Sequence, residues 1–336
     1  MSISPPLSIL MPVRNEADFL PAALHSLQRQ TLQNWELIVV DDGSNDTTPA
    51  ILASAAATDC RIHVIRQESR GLVTALNTAL AACRAPLVAR MDGDDVMHPV
   101  RLERQLNYLQ INPQIGLVAC QFRHFPRSGL KQGMQEYETW QNGLTSHDVI
   151  MRDLLVESPF VHPSIMTRRS ILEQLGGYRE CGWPEDYDLW LRMAAANIKF
   201  ARLPETYFFW RDHPERATRT MDEYSQDAFR RCKLDYLKKE YLHDCKQVII
   251  AGAGKEGRAW QRLLKQHQIA VSGWIDVDPK KTGQILHGAN VRQPDEYDDF
   301  SDKLLIAIGV RGARKQFRGI LEQRGLQEQI DFRSVC

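Results

Sequence analysis

Apolar runs and amphipathic stretches take turns along the first hundred residues. Short apolar runs crowd into residues 7–13, 35–40, 61–65 and 86–91, each suited to a strand. Between them, residues 19–27, 49–57 and 72–82 place apolar side chains at helical spacing. The strand runs are too continuously apolar to alternate cleanly, which is the pattern of strands covered on both faces. This βαβαβα order predicts a mostly parallel sheet between helices, with ligands bound beyond the carboxyl ends of the strands. From about residue 115 the alternation loosens, with apolar segments at 115–119, 160–166 and 199–209. A long polar-rich helical pattern over 221–242 reads as a connector, and at Lys246 the alternation restarts. Strands are then expected at 248–251, 271–275 and 304–308, and helices at 257–264 and 314–321. The pattern divides the chain into an α/β domain over 1–219, a connector over 220–245 and a small α/β domain over 246–336.

Composition narrows the function classes. Of 336 residues, 43% are apolar and 25% charged, as in ordinary globular proteins. Forty-two basic residues balance forty-two acidic ones, so no global field attracts a polyanion and no nucleic-acid partner is expected. The seven cysteines (Cys60, Cys83, Cys120, Cys181, Cys232, Cys245 and Cys336) are scattered without a CxxC pair, and read as reduced thiols. Met1 to Pro6 lacks the regions of a signal peptide, and no run approaches the roughly 18 apolar residues of a membrane span. A cytoplasmic location follows, with peripheral association at the inner face of the membrane left open.

Polar clusters at strand ends carry the candidate chemistry. Asp92-Gly93-Asp94 offers two carboxylates separated by a residue without a side chain. Such a pair repels itself unless a cation compensates, and a hard divalent ion carrying phosphate oxygens suits it. The alternative is a solvated acidic turn, with Asp95 capping a following helix. Asp41 and Asp42 close the second strand run and can accept from a ring N–H or ribose hydroxyls, or form an Asx-turn before the next helix. Glu185-Asp186 precedes Leu189, Trp190 and Met193. The two acids either favour a helix dipole in its first turn or supply a base for an acceptor hydroxyl. Taken alone, His213 reads as a surface or packing residue, and His162-Pro163-Ser164 as a strand-end turn. Trp183 and Tyr187 flank the acidic pair, to stack on a sugar or simply to pack.

The ordered series is far more specific than any member. Pro12-Val13-Arg14-Asn15-Glu16, Asp41-Asp42-Gly43-Ser44, Gly71-Leu72 with Ala75-Leu76-Asn77, Arg90-Met91-Asp92-Gly93-Asp94-Asp95 and Arg101-Leu102-Glu103-Arg104-Gln105 follow one another. His162-Pro163-Ser164, Arg168-Arg169, Gly176-Gly177-Tyr178 and Glu185 to Arg192 continue it. Over roughly residues 7–215 the chain resembles the family 2 glycosyltransferases of the bacterial surface-polysaccharide type. The resemblance implies the GT-A nucleotide-diphospho-sugar transferase fold and an inverting, metal-dependent enzyme using Mn²⁺ or Mg²⁺. A nucleotide-sugar, first of all a UDP-sugar, would be the donor, and a hydroxyl of a glycan or lipid-linked acceptor would receive the sugar. Pro12, Arg14, Glu16 and Arg70 would then surround the nucleotide-sugar, with Asp42 as the base contact and Asp41 beside it. Asp92 would face the ribose and metal shell, Asp94 would bind the metal directly, and His213 would lie near metal and diphosphate. Asp186 would be the catalytic base with Glu185 in support, and His162 and Trp183 would line the acceptor side. Downstream of His213 the chain departs from the family's serines, with Arg216, Thr218 and Arg219 instead. Arg211, Arg216 and Arg219 either hold the diphosphate or form a solvated basic turn.

In the last ninety or so residues, Gly252-Ala253-Gly254-Lys255-Glu256-Gly257 follows a strand run and opens a helical one, with Asp276 nineteen residues beyond Gly257. That is the setting of a dinucleotide fingerprint, and the domain resembles small Rossmann-like modules. Gly252, Gly254, Gly257 and Asp276 therefore form a candidate second nucleotide site, against a structural or partner-docking module. An oxidoreductase or nucleotide-binding regulator centred on this domain is the alternative function. A nucleotidyltransferase fits less well, because residues 12–16 lack its glycine-rich basic signature.

Overall fold

The computed structural model describes residues 5–296, 302–310 and 312–336. The first four residues of the N-terminal segment read above for a signal peptide lie outside them. Two compact units emerge, one of Met1–Ile150, Pro159–Cys181 and Glu185–Thr220, the other of Met151–Ser158, Gly182–Pro184 and Met221–Cys336.

The first unit is built on eight strands: β1 (Leu7–Val13), β2 (Glu36–Asp42), β3 (Ile62–Gln67), β4 (Leu87–Arg90), β5 (Val96–Met97), β6 (Ile115–Phe125), β7 (Ile165–Arg168) and β8 (Lys199–Arg211). They lie in the order β3-β2-β1-β4-β7-β6-β8-β5. β1 to β4 run parallel, β7 opposes both its neighbours, and β8 returns parallel to β6. Every residue of β1, β2 and β4 is buried, which explains the unbroken apolar runs, whereas edge strand β3 alternates. Helix Leu72–Ala82 buries Ala75, Leu76, Ala79 and Leu80, and helix Leu20–Gln28 buries Leu20, Ala23, Leu24 and Leu27. At the amino end of the sheet, Glu36 accepts from Ser8 Oγ at 2.6 Å and Arg84 Nε at 2.7 Å. That ion pair ties β1, β2 and the turn before β4 together.

Three details differ from expectation. β6 runs on to Phe125, well past its apolar segment, pairing in parallel with β8 from Ile115–Lys199 to Phe125–Arg211, because its later residues alternate buried Phe122 and His124 with exposed Arg123. Segment 160–166 splits into a 3₁₀ turn, His162–Ser164, and β7. Asp95 caps no helix: β5 follows it, and the next helix opens only at Arg101.

The second unit carries β9 (Gln247–Ala251), β10 (Ala270–Ile275), β11 (Ile285–Leu286), β12 (Ala289–Arg292), β13 (Lys303–Ile306) and β14 (Phe332–Ser334), in the order β11-β12-β10-β9-β13-β14. All neighbours pair in parallel except β11 and β12. Trp260, Trp274, Val248 and Ile250 fill its core together with Leu234 and Leu237 of helix Gln226–Glu240. Lys233, fully buried on that helix, donates to the carbonyls of Val156 at 2.7 Å and Val335 at 3.1 Å. Segment Met151–Ser158 and the carboxyl terminus are thereby held by one ammonium. All seven cysteines are free thiols. Among the described residues no helix is long and apolar enough to cross a membrane.

Candidate functional site

The chain moves outward from β1 through β2 to β3 and then returns to β4 on the other side of β1. That reversal leaves a crevice beyond the carboxyl ends of β1 and β4, where open α/β sheets bind ligands. Asn15, in a left-handed conformation (φ 56°), turns the chain after β1. Its N–H donates to Ser44 Oγ, Glu16 N–H donates to Thr48 Oγ1, and Asn15 Oδ1 accepts from Asn45 N–H, each at 2.9 Å. These bonds fix the β1 loop on the β2 loop. Across the crevice, Gly93 lies so close to β1 that a Cβ there would sit 2.8 Å from Val13 Cγ1 and 3.3 Å from Glu16 Cγ. The missing side chain lets the Asp92–Asp94 turn pack against Glu16.

Four carboxylates converge here. One oxygen each of Asp92, Asp94 and Asp95 lies within 4.8 Å of the others. Asp92 Oδ1 is 2.5 Å from an Arg90 guanidinium nitrogen. Asp94 Oδ2 is 2.8 Å from His213 Nε2, and its main-chain carbonyl accepts from Arg211 Nε at 2.6 Å. Asp95 is fully buried, with Oδ1 accepting from Arg211 N–H at 2.7 Å and Oδ2 left without a hydrogen bond. Burial, then the charges of Asp94 and Asp92, push the Asp95 carboxyl well up. Burial and the same two charges raise Glu16 to about 8. His213 moves up, chiefly through its bond to Asp94. Carboxylates that hold one another's protons this way are poised for a cation, and the orphaned Asp95 oxygen points to the same need. Hard oxygen donors with one imidazole fit Mg²⁺ or Mn²⁺.

A second acidic group stands on helix Glu185–Ala195. Glu185 is buried, its Oε1 3.4 Å from His162 Nδ1, while His162 Nε2 lies 3.1 Å from the Tyr178 hydroxyl. Burial keeps His162 below its ordinary value, against the pull of Glu185. Asp186 is half-buried, and burial followed by the Glu185 charge drives its carboxyl well up. The charge of Asp92 also acts on His162, so the two acidic groups share one electrostatic neighbourhood. Trp183 is half-buried and belongs to the second unit.

On the β2 side, Pro12 is buried within β1 and Arg14 is exposed beyond it. Asp42 gathers the loop before helix Leu72–Ala82: it accepts from Gln67 Nε2 at 2.7 Å, Arg70 N–H at 2.8 Å and Gly71 N–H at 2.9 Å. Burial raises its carboxyl, but these donors outweigh that and hold it below the usual range. Asp41 accepts from Ser44 N–H at 2.9 Å, with Arg66 Nε 3.6 Å away. Arg70 leaves its own side chain exposed.

Two arrangements were not read from the sequence. Arg90 ends an apolar strand, where a lone arginine resembles a strand-edge residue. Arg216 is buried against Trp210, 3.7 Å from its ring centre, while His124 stacks on that indole at 5.0 Å. Only the pairing of β6 with β8 brings these three together. Arg211 and Arg216 are thus engaged with the site's walls, and Arg219 with Asp212 at 2.5 Å.

In the second unit Gly252 (φ 102°) and Gly254 lead from β9 into helix Lys255–Gln266. A Cβ at Gly257 would lie 1.8 Å from Gly252 O, so the helix packs directly on the turn. Asp276 accepts from Ala253 N–H at 2.8 Å, Asp278 N–H at 2.9 Å and Lys281 Nζ at 2.9 Å.

A mixed sheet of this order, with carboxylates at its switch point, is the GT-A arrangement. Residues 8–176 match Glycosyl transferase family 2, and the chain belongs to that family. The bifunctional glycosyltransferase pgtA of Dictyostelium discoideum is 31% identical over 63% of this chain, which spans only 33% of that larger protein. The O-antigen biosynthesis glycosyltransferase WbnJ of Escherichia coli is 28% identical over 72% of this chain and 96% of its own length. Among solved structures, residues 1–349 of S. aureus TarS in complex with UDP-GlcNAc share the fold with a TM-score of 0.56 at 17% identity, covering 78% of this chain and 72% of that one.

Proposed function

We propose that this chain is an inverting, metal-dependent glycosyltransferase that moves a sugar from a UDP-sugar to an acceptor hydroxyl in the synthesis of a cell-surface polysaccharide or glycolipid. The observation that carries this reading is the meeting of Glu16, Asp92, Asp94 and His213 at the switch point, with Glu185 and Asp186 in the same electrostatic neighbourhood. The UDP-GlcNAc complex of TarS supports the choice of nucleotide, and WbnJ's role in O-antigen biosynthesis supports the choice of product. The two acidic groups would divide the work. Asp94, with Asp92 and His213, would hold Mn²⁺ or Mg²⁺, which when bound offsets the negative charge that develops on the departing diphosphate. Pro12, Arg14, Glu16, Asp41 and Arg70 would face the nucleotide, with Asp42 acting through the loop it staples. Asp186 would take the proton of the acceptor hydroxyl. Its raised carboxyl makes it a stronger base than an exposed aspartate, and such a group contributes roughly 10²–10⁴-fold. Burial, and after it the Glu185 charge, keeps that carboxyl raised, and His162 would orient Glu185. A single base with in-line attack inverts the anomeric centre. Within the first unit, His162 remains the proposed acceptor-side residue.

Asp186→Asn tests the base: it should bind UDP as wild type does, yet lose about 10²-fold or more of transfer. Undiminished transfer would remove Asp186 from the role. For the second unit, we infer a Rossmann-like module serving as a structural or docking element. Asp276 already spends its oxygens on Ala253, Asp278 and Lys281, which disfavours a ribose contact there.

A further inference from the structure

Arg90 has no part in the chemistry above, yet it occupies the centre of the charge pattern. It ends β4, whose other residues, Leu87, Val88 and Ala89, are apolar, and it is only 3% exposed. One terminal nitrogen pairs with Asp92 Oδ1 at 2.5 Å and the other donates to the Met91 carbonyl. Its buried Nε has no hydrogen-bond partner. A buried guanidinium with an unmet donor costs stability, and what sets Arg90 apart is its direct contact with Asp92 in the acidic cluster.

The surrounding charges point to a role for that contact. One oxygen each of Asp92, Asp94 and Asp95 lies within 4.8 Å of the others, a concentration of acid that attracts cations. Each is countered from within: Arg90 on Asp92, His213 on Asp94, and Arg211 through its N–H on Asp95, with the Arg216 charge acting on Asp94 and Asp95. Of these, Arg90 is the most buried permanent charge in direct contact with a candidate ligand oxygen.

We propose that Arg90 is a positioning residue that keeps the cluster's affinity for a free divalent cation low, so that the ion is held firmly only together with the donor's diphosphate. A cation arriving alone meets the guanidinium at short range across a poorly solvated floor, where like charges repel strongly. A cation arriving with a diphosphate brings its own negative charge, which outweighs Arg90. By engaging Oδ1, Arg90 also restrains the Asp92 carboxylate and leaves Oδ2 outside that ion pair. The arrangement makes ion and nucleotide bind cooperatively and leave together after transfer.

This rests on the glycosyltransferase reading, but its test needs no sugar transfer. Mn²⁺ binding to the full chain is read from the free-ion electron paramagnetic resonance signal, with and without UDP. Wild type should bind Mn²⁺ weakly alone and at least tenfold more tightly with UDP. Arg90→Gln should bind Mn²⁺ alone about tenfold more tightly than wild type, with the UDP effect reduced. The gain should vanish in the Arg90→Gln, Asp92→Asn double variant. A purely structural arginine would lower the melting temperature without tightening ion binding. Unchanged or weaker Mn²⁺ binding in a folded Arg90→Gln would overturn the proposal. So would wild type binding Mn²⁺ equally well with and without UDP, a result that requires no variant to fold. Failure of the enzymatic reading would show instead as no nucleoside diphosphate released from any donor.

Discussion

Burial and the charges of Asp94 and Asp92 push the Glu16 carboxyl up to about 8, an expense that folding alone does not require. The sign is definite. Between the ordinary glutamate value near 4.5 and about 8, the unfolded chain releases a proton that the folded chain keeps, so this residue costs stability increasingly as pH rises through that window. Glu16→Gln should therefore raise the melting temperature at pH 8 and leave it nearly unchanged at pH 4.5, by calorimetry on the ion-free protein. An equal effect at both pH values would contradict the account. The same substitution should weaken nucleotide binding, the usual exchange of function for stability. At this scale Asp92 and Asp94 were legible because carboxylates at a strand end are conspicuous, whereas Glu16 and the base role of Asp186 came from the family resemblance. Arg90 was not legible, because only folding shows that it lies against Asp92 rather than in solvent.

At the scale of elements, Asp42 works as a staple. It joins the end of β2 to the loop preceding helix Leu72–Ala82 through Gln67, Arg70 and Gly71. Asp42→Ala would leave two backbone N–H groups unpaired and should destabilise the protein by about 2–4 kcal/mol, measured by urea unfolding at pH 7. Because the carboxyl is held below its unfolded value, its contribution is fully present above about pH 4 and fades only as pH falls through the lower folded value. The variant and wild type should thus converge in strong acid, and a constant difference down to pH 2 would exclude the mechanism. The alternating pattern of residues 1–91 was legible in the sequence because buried parallel strands are unbroken apolar runs. β6 was only half legible: its distal half carries Gln121 and Arg123, and what makes it a strand is its pairing with β8. Short β5, β11, β12 and β14 hold too few residues to show any period.

At the scale of the molecule, the change from helix Gln226–Glu240 to β9 suggests a boundary near Cys245 on pattern alone. Yet Leu234, Leu237, Tyr241 and Leu242 lie in the core of the second unit. A chain ended after Cys245 should expose that apolar face, bind a hydrophobic dye and aggregate, whereas the 336-residue chain should not. A cooperative, monomeric truncation would contradict the packing described. Periodicity identifies a connector helix but does not say which core its apolar stripe enters, and that part of the architecture was beyond the sequence.

The first unit's proposed activity stands on Asp94 at the switch point, and it is tested most directly by nucleoside-diphosphate release from a panel of nucleotide-sugars with Mn²⁺. Wild type should release UDP from at least one UDP-sugar only when a divalent ion is present, and Asp94→Ala should fall by about 10³-fold. Full release by Asp94→Ala in the presence of a chelator would contradict the central claim.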